Sequence, residues 1–147
     1  MNNSPITVGT LELVSIPGLN IVSVLAKIDT GAYSGALHCS SITVVLRGVT
    51  RQPILKFIPL GDTSLSTETA DFSRRYVRSA TGHRVKRYII QTEIVIKSKR
   101  YPIAIGLSDR SEMKRVVLIG RSFLRENNML VDVRINQELD DERETFK

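Results

Sequence analysis

The chain has 147 residues with 21 basic and 15 acidic side chains, a formal net charge of +6. This length suits one domain and is too short for a protein built from two equivalent lobes. No apolar run approaches the roughly 18 residues of a membrane span, and residues 1–5 lack the basic and apolar parts of a signal peptide. We therefore expect a cytoplasmic protein without membrane contact, with one domain at residues 1–135 and an acidic tail at 136–147.

The predicted elements are short β-strands. Apolar or alternating runs rich in Val and Ile recur at 11–16, 21–28, 42–46, 54–58, 88–96 and 101–107. Turn signals such as Pro17-Gly18, Gly61-Asp62 and Thr81-Gly82 separate them. Short strands separated by such turns are typical of an all-β barrel and not of alternating strands and helices. We expect a single closed barrel, in which the polar residues 61–71 form a mobile surface loop.

The strand predicted at 21–28 leads into Asp29-Thr30-Gly31-Ala32, so a carboxylate lies where the chain must turn. Gly31 permits a tight turn, and the Thr30 hydroxyl can bind nearby backbone. One carboxylate is only half of an acid/base pair, and a second copy of the chain on a two-fold axis would supply the other half. Two carboxyls about 3 Å apart share one proton, so one activates water while the other polarises a carbonyl. Such a pair hydrolyses amides without metal or cofactor.

Two segments together resemble the signatures of retropepsin-like aspartic proteases: Asp29-Thr30-Gly31-Ala32 and Val117-Leu118-Ile119-Gly120-Arg121-Ser122-Phe123-Leu124. Within that class the chain is most similar to the bacterial and archaeal family labelled "ATP-dependent zinc protease", which is associated with ATP-grasp glutamate ligases. The family pattern covers most of the chain and is also matched by Ala36-Leu37-His38, Val77-Arg78-Ser79, Gly82-His83, Arg87-Tyr88, Leu107-Ser108-Asp109-Arg110-Ser111, Met113 and Val131-Asp132.

The resemblance implies an all-β acid protease fold with one short C-terminal helix at 122–127, followed by a strand at 129–133. It implies an aspartic peptidase that is active as a homodimer, with Asp29, Thr30 and Gly31 as the catalytic segment of each chain. Ile119, Gly120 and Arg121 would support that segment from behind. A hairpin at 74–88 would be the flap that closes over a peptide or protein substrate. The substrate-binding residues would be Ala32, Ser79, Ala80, Thr81, Gly82 and His83.

The chain departs from the family at two positions after the turn. Tyr33 stands where the family usually has a basic residue, and Gly35 is expected to loosen the segment that follows. The matching arginine of retroviral enzymes is tied to an acidic residue near the catalytic turn. We therefore expect Asp132 or the second subunit to provide the partner of Arg121.

The positive charge is concentrated in the body of the chain. Residues 136–147 hold five acidic and two basic side chains, which leaves 19 basic and 10 acidic side chains before them, a net charge of +9. Six cationic residues fall on the predicted flap: Arg74, Arg75, Arg78, Arg84, Lys86 and Arg87. Such a surface favours an acidic substrate, and the acidic tail is either a plain solvated segment or folds back onto the flap. Nucleic-acid binding is disfavoured by 5% aromatic residues and the lack of a binding motif.

Other chemistries have weaker support. Cys39 follows His38, but neighbouring residues of a strand point to opposite faces, so a Cys/His nucleophile is disfavoured and both side chains are expected to be structural. Two histidines and one cysteine make a poor zinc site, and there is no phosphate-binding glycine loop. We expect no metal and no cofactor. The remaining alternative is a catalytically silent binding or assembly module that partners an ATP-grasp ligase or an acidic protein.

Overall fold

The computed structural model describes residues 4–78, 81–110 and 114–141. Among these residues the secondary structure is mostly β. The strands are β1 (Ile6–Val8), β2 (Leu11–Ile16), β3 (Ile21–Asp29), β4 (Gly35–Arg47), β5 (Gln52–Pro59), β6 (Thr67–Thr69), β7 (Ser73–Arg78), β8 (Arg84–Ile96), β9 (Lys99–Ser108), β10 (Val117–Gly120) and β11 (Met129–Val131). The helix α1 (Arg121–Glu126) follows β10, and short 3-10 turns lie at Pro17–Leu19, Thr63–Leu65 and Gln137–Leu139. No helix in the described part of the chain is long and apolar enough to cross a bilayer.

Most strands belong to one sheet in the order β10-β3-β2-β8-β9-β4-β5-β6, with β7 paired to β8, while β1 and β11 form a separate parallel pair. β10 lies parallel to β3 and also meets β4 through Val117 and Leu118. The all-β prediction is confirmed, but a single closed barrel is not. β4 and β8 have 13 residues each. β5 forms a hairpin with β4, and β7 forms a hairpin with β8, and both lie outside the set of strands that β10 joins by pairing with β3 and β4.

The core consists mainly of branched aliphatic side chains from strands of the large sheet. The largest fully buried side chains include Ile16, Ile21, Leu37, Leu55, Ile94, Ile96, Ile105 and Ile119. Each contributes roughly 1.5–3 kcal/mol through removal of apolar surface from water. Because Ile119 is among them and Ile28 beside it is buried, the ends of β3 and β10 are fixed by the core. This is the position where the turn at Asp29 begins.

The strand positions agree with the sequence prediction, but several boundaries differ. β4 begins at Gly35, well before the run predicted at 42–46, and α1 begins one residue before the predicted 122–127. The predicted loop at 61–71 contains a 3-10 turn and β6. Local polar bonds explain the difference, because Asp62 caps the turn through Ser64 N at 3.0 Å and Glu68 accepts two bonds from Arg47. Ser and Thr here build structure through side-chain to backbone bonds.

Candidate active site

Asp29 is the last residue of β3, and its carboxylate is held by the turn that follows. The N–H of Gly31 donates to Asp29 Oδ1 at 3.0 Å, and the N–H of Ala32 donates to Asp29 O at 3.2 Å. A Cβ on residue 31 would stand 3.2 Å from Asp29 Oδ1, a close contact that glycine avoids. Thr30 and Gly31 are exposed, whereas Asp29 and Ala32 are half-buried. The turn therefore presents one oriented carboxylate at the surface of the chain.

The support of this turn comes from β10, on which Ile119 pairs with Ile28 and Gly120 pairs with Asp29. Gly120 has no room for a side chain, because a Cβ there would stand 2.6 Å from the carbonyl oxygen of Tyr33 and 2.8 Å from that of Ser34. Backbone atoms cannot move aside as the end of a flexible side chain can. The glycine thus allows two backbone segments to touch directly behind the catalytic turn.

Gly35 makes a second close approach between backbones. It is buried at the start of β4, and a Cβ on it would stand 2.7 Å from Leu118 O. The expectation that Gly35 loosens this segment was wrong. The physical reason is that β4 and β10 are in contact here, so the absence of a side chain tightens the packing.

Arg121 closes the turn from the first residue of α1. Its N–H donates to Ala32 O at 2.8 Å, and its Nη1 donates to Gly31 O at 3.1 Å and Thr30 O at 3.5 Å. The guanidinium carbon also lies 5.5 Å from the centre of the Tyr33 ring. The departure at residue 33 therefore supplies an aromatic face for the arginine.

The expected pairing of Arg121 with Asp132 was wrong. The Asp132 carboxylate accepts bonds from Arg134, at 3.0 Å from Nε and 2.8 Å from Nη2, and from the Arg134 N–H at 2.9 Å. These bonds hold the pKa of Asp132 near 2. The negative charge of Asp132 is thus paired with Arg134. The partners of Arg121 are carbonyl oxygens of the turn instead.

The predicted flap hairpin is present as β7 and β8, with pairs running from Ser73 with Ile89 to Arg78 with Arg84. Ser79 and Ala80 lie outside the described residues. Thr81, Gly82 and His83 are exposed, and Gly82 has a φ of +85° with nothing within 4 Å of where a Cβ would stand. The described residues of the tip are therefore exposed to solvent, and a side chain at residue 82 would meet no other part of the described chain.

Five of the six cationic residues on the hairpin are exposed, and Arg87 is half-buried. Arg84 lies over the Tyr76 ring at 4.6 Å and Lys86 over the Tyr88 ring at 5.5 Å. The stem of Arg87 crosses Gly106 of β9, where a Cβ would stand 2.5 Å from Arg87 Cδ. The missing side chain at residue 106 therefore lets Arg87 pass close to the sheet.

Arg110 was not assigned a role from the sequence, and Arg87 was assigned only to the cationic surface of the flap hairpin. Burial lowers the pKa of Arg87. Burial also lowers the pKa of Arg110, the like charge of Arg87 lowers it further, and the negative charge of Asp29 raises it. Arg110 is therefore within electrostatic reach of both Arg87 and Asp29 in a single chain. The sequence signal was the family match at Arg87-Tyr88 and at Asp109-Arg110, which gave no indication of this coupling.

His38 and Cys39 do not form a nucleophilic pair. Cys39 is fully buried, and desolvation raises the pKa of its thiol to about 12, so little thiolate forms at neutral pH. His38 is buried, and its Nδ1 accepts the backbone N–H of Arg110 at 2.8 Å. The expectation of an interior, hydrogen-bonded histidine is confirmed. Among the described residues, no group of three or more His, Cys, Asp or Glu side chains comes together as a metal site.

The first part of the acidic tail contacts the body. Asn136 Nδ2 donates to Leu11 O and to the buried Glu12 Oε2, each at 2.9 Å. Asp141 accepts from Arg115 Nη2 at 2.9 Å and lies 3.0 Å from Lys114 Nζ. These bonds join the start of the tail to β2 and to residues 114 and 115, and the fold-back of the tail onto the flap hairpin stays a prediction.

The carboxylate turn at the end of β3, supported by a parallel strand that ends at Gly120 and is followed by Arg121, is the arrangement expected of a retropepsin-like protein. A family model described as RimB-like, "Retropepsin-like aspartic endopeptidase RimB", matches residues 7–138, and the chain belongs to this family. The resemblance seen in the sequence is thus confirmed for the retropepsin-like class, whereas the zinc protease label is not.

Relatives and a solved structure agree with this assignment. The chain is 31% identical over 142 residues to a "Probable alpha-L-glutamate ligase" of Parasynechococcus marenigrum, and 25% identical over 135 residues to one of Shewanella pealeana. These matches cover 95% and 90% of this chain but 30% and 29% of the relatives, so the chain spans about a third of their length. The structure of Lpg0085 from Legionella pneumophila, a protein of unknown function, matches with a TM-score of 0.64 and 25% identity, over 91% of this chain and 96% of that one.

Proposed function

We propose that this protein is an aspartic endopeptidase that acts as a homodimer, with Asp29 of each chain forming the catalytic pair. The observation that carries the proposal is the geometry of the turn. Asp29 ends β3 next to the buried Ile28, its Oδ1 accepts the Gly31 N–H at 3.0 Å, and Gly120 pairs with it from behind. A carboxylate oriented in this way at the surface of one chain is suited to meet its copy across a two-fold axis.

The proposed chemistry uses one proton shared by the two carboxyls. The ionised Asp29 takes a proton from a water molecule while the oxygen of that water bonds to the carbonyl carbon of the peptide. The neutral Asp29 donates its proton to the carbonyl oxygen. The Asp29 that took the proton from water then passes it to the amide nitrogen as the C–N bond breaks, and a hydroxyl of the tetrahedral intermediate returns a proton to the other Asp29. The acid and the amine are released, and the pair again holds one proton. Thr30 braces the two turns against each other, and Ala32 and residues 79–83 contact the extended substrate.

We further propose that the substrate is acidic. Arg110 is within electrostatic reach of Asp29 and of Arg87, and the flap hairpin adds exposed cationic side chains. A homodimer would place two copies of each arginine along one cleft, where they raise the local concentration of an anionic peptide. The relatives named alpha-L-glutamate ligase make a glutamate-rich segment the first substrate to examine.

The second candidate is a binding module without catalysis that partners a ligase. The observation in its favour is that the matched region corresponds to only 30% of a relative named for ligase activity. An exposed turn that orients a carboxylate is of no use to such a module. Repulsion between two copies of Asp29 would also weaken its dimer.

The test is cleavage of a peptide library with acidic and neutral members from about pH 4 to 7, where a shared-proton carboxyl pair works. Wild type is compared with Asp29→Asn and with Asp71→Asn, which removes an exposed carboxylate elsewhere. We expect Asp29→Asn to lower cleavage by about 10³-fold or more and to preserve or strengthen association measured by sedimentation. Asp71→Asn should cleave as wild type does. A folded, dimeric wild type that cleaves no peptide would favour the binding module.

A further inference from the structure

His38 connects the core to the segment that carries Arg110. It lies on β4 opposite Ser108, the last residue of β9, and is buried with 7% of its surface exposed. Its own N–H donates to Val116 O at 2.7 Å, and its carbonyl accepts the N–H of Leu60 at 2.8 Å. Because both backbone groups are hydrogen-bonded, the backbone of His38 is held in place. Its imidazole contacts the residues after β9 from this defined position.

The hydrogen bond at Nδ1 of His38 defines the tautomer of the neutral imidazole. The backbone N–H of Arg110 donates to Nδ1 at 2.8 Å, so this nitrogen carries no proton. Asp109 Oδ1 lies 3.8 Å from the same atom, too far for a direct bond, although a protonated imidazole would be attracted to it. The shorter contact is decisive, because one nitrogen cannot accept from Arg110 and donate to Asp109 at once. The proton of the neutral ring is on Nε2.

The opposite nitrogen faces the turn at Gly61. A Cβ on residue 61 would stand 3.7 Å from His38 Nε2, and the glycine has a φ of +70°. The two ring nitrogens thus face different segments of the chain. A replacement side chain with an acceptor at only one of these positions can therefore separate their roles.

Arg110 is also held through its side chain. Its Nε donates to Arg115 O at 3.2 Å. The backbone of Arg110 is thereby anchored by His38 and its guanidinium by Arg115, within electrostatic reach of Asp29. An arginine fixed at both ends loses little conformational entropy when it binds an anion.

We propose that His38 is a positioning residue for substrate recognition: its Nδ1 holds the backbone of Arg110 so that the guanidinium meets a carboxylate of the substrate beside Asp29. This inference rests on the proposed function, since it assigns Arg110 to an acidic substrate. Its structural part, the dependence of Arg110 on His38, stands on the hydrogen bond alone.

The test uses His38→Asn and His38→Gln. Asn Oδ1 lies close to the position of imidazole Nδ1 and retains an acceptor for the Arg110 N–H. Gln Oε1 lies nearer the position of Nε2 and leaves that N–H without its partner. Both variants carry the same neutral amide, which makes them matched controls for polarity and burial. Each is also combined with Arg110→Gln.

The first readout is independent of catalysis. Hydrogen exchange of the Arg110 amide, measured by NMR, should remain slow in His38→Asn and become about tenfold faster in His38→Gln, because a half-buried donor loses its acceptor. Equal protection of this amide in both variants would overturn the proposal. This measurement is valid even for a protein that cleaves nothing, so its failure is distinct from failure of the proposed function.

The second readout is recognition of an acidic peptide. Binding of a fluorescein-labelled decaglutamate is measured with the two variants in the Asp29→Asn background. We expect His38→Gln to weaken binding about tenfold and His38→Asn to weaken it less than threefold, as loss of one anchoring bond predicts. In the Arg110→Gln background the two variants should bind alike. A His38→Gln penalty that persists without Arg110 would show that the histidine acts only through general structure.

Discussion

The turn at Asp29 and the predicted flap hairpin are held in opposite ways. The turn has strands on either side, close contacts between backbones at Gly120 and Gly35, and a guanidinium bound to its carbonyl oxygens. The described residues of the hairpin tip, Thr81 to His83, are exposed, and nothing lies within 4 Å of where a Cβ on Gly82 would stand. The carboxylate is therefore supported within one chain, whereas the hairpin tip faces solvent. In the homodimer that we propose, a second copy helps to enclose the substrate.

Substitution of one glycine in each region by alanine should give the largest difference in stability between them. Gly120→Ala forces a Cβ to 2.6 Å from a backbone oxygen, and we expect it to lower the free energy of unfolding by about 3 kcal/mol or more. Gly82→Ala meets only the positive φ of +85° and should cost about 1 kcal/mol. Urea unfolding of both variants measures the difference. Equal losses would mean that the hairpin is supported as firmly as the turn.

Alanine at Gly106 should change specificity more than stability. Its Cβ would stand 2.5 Å from Arg87 Cδ, a flexible side chain that can move aside. We expect little change in the midpoint of thermal unfolding but about a tenfold rise in KM for acidic peptides, because the guanidinium is displaced. A neutral peptide is the control substrate and should be unaffected. A similar loss on both substrates would remove Arg87 from acidic recognition.

Substitution of Tyr33 tests the aromatic partner of Arg121. Tyr33→Phe keeps the ring at 5.5 Å from the guanidinium carbon and should leave stability unchanged. Tyr33→Ala should lower it by about 0.5–1 kcal/mol, the usual range of an exposed cation–π contact. Chemical unfolding compares the two variants. In Arg121→Gln, which removes the cation, the difference between them should shrink, and if it does not, the ring acts through another contact.

The smallest effect is expected at Asp141, whose pKa is lowered by hydrogen bonds to Lys114 and Arg115. A carboxyl with a lowered pKa in the folded state stabilises the protein above its unfolded pKa of about 3.9 and stops doing so as the pH falls through the folded value. The melting temperature of Asp141→Asn should therefore be slightly below that of wild type at pH 6. The two should converge at low pH. A constant offset across this range would point to packing instead of charge.

The turn was predictable from sequence because it is a local feature. Asp29, Gly31 and the alternating run before them occupy adjacent positions, and the partner segment ending in Gly120-Arg121 has its own composition. The flap hairpin was predictable for the same reason, since Thr81-Gly82 lies between two strands that pair with each other. Local turn chemistry and alternation carry this information.

The electrostatic coupling of Arg110 to Arg87 and Asp29 was not predictable, because it depends on pairing over long distances in the chain. Arg87 crosses Gly106, which is adjacent only after β8 pairs with β9. Arg110 is placed by His38, 72 residues away. The role of Tyr33 was missed for a different reason. An acidic partner for Arg121 was expected by analogy, whereas carbonyl oxygens and an aromatic ring can serve equally well.

The pairing of β10 with β3 has a consequence for the order in which the molecule is made. Arg121 bonds to Thr30 O across a separation of 91 residues, and Gly120 lies beside Asp29. During synthesis the strand with the carboxylate is available long before the strand that supports it. Contacts of such high sequence separation form late in folding. A nascent chain therefore carries Asp29 without an assembled turn until residues beyond 121 have been added.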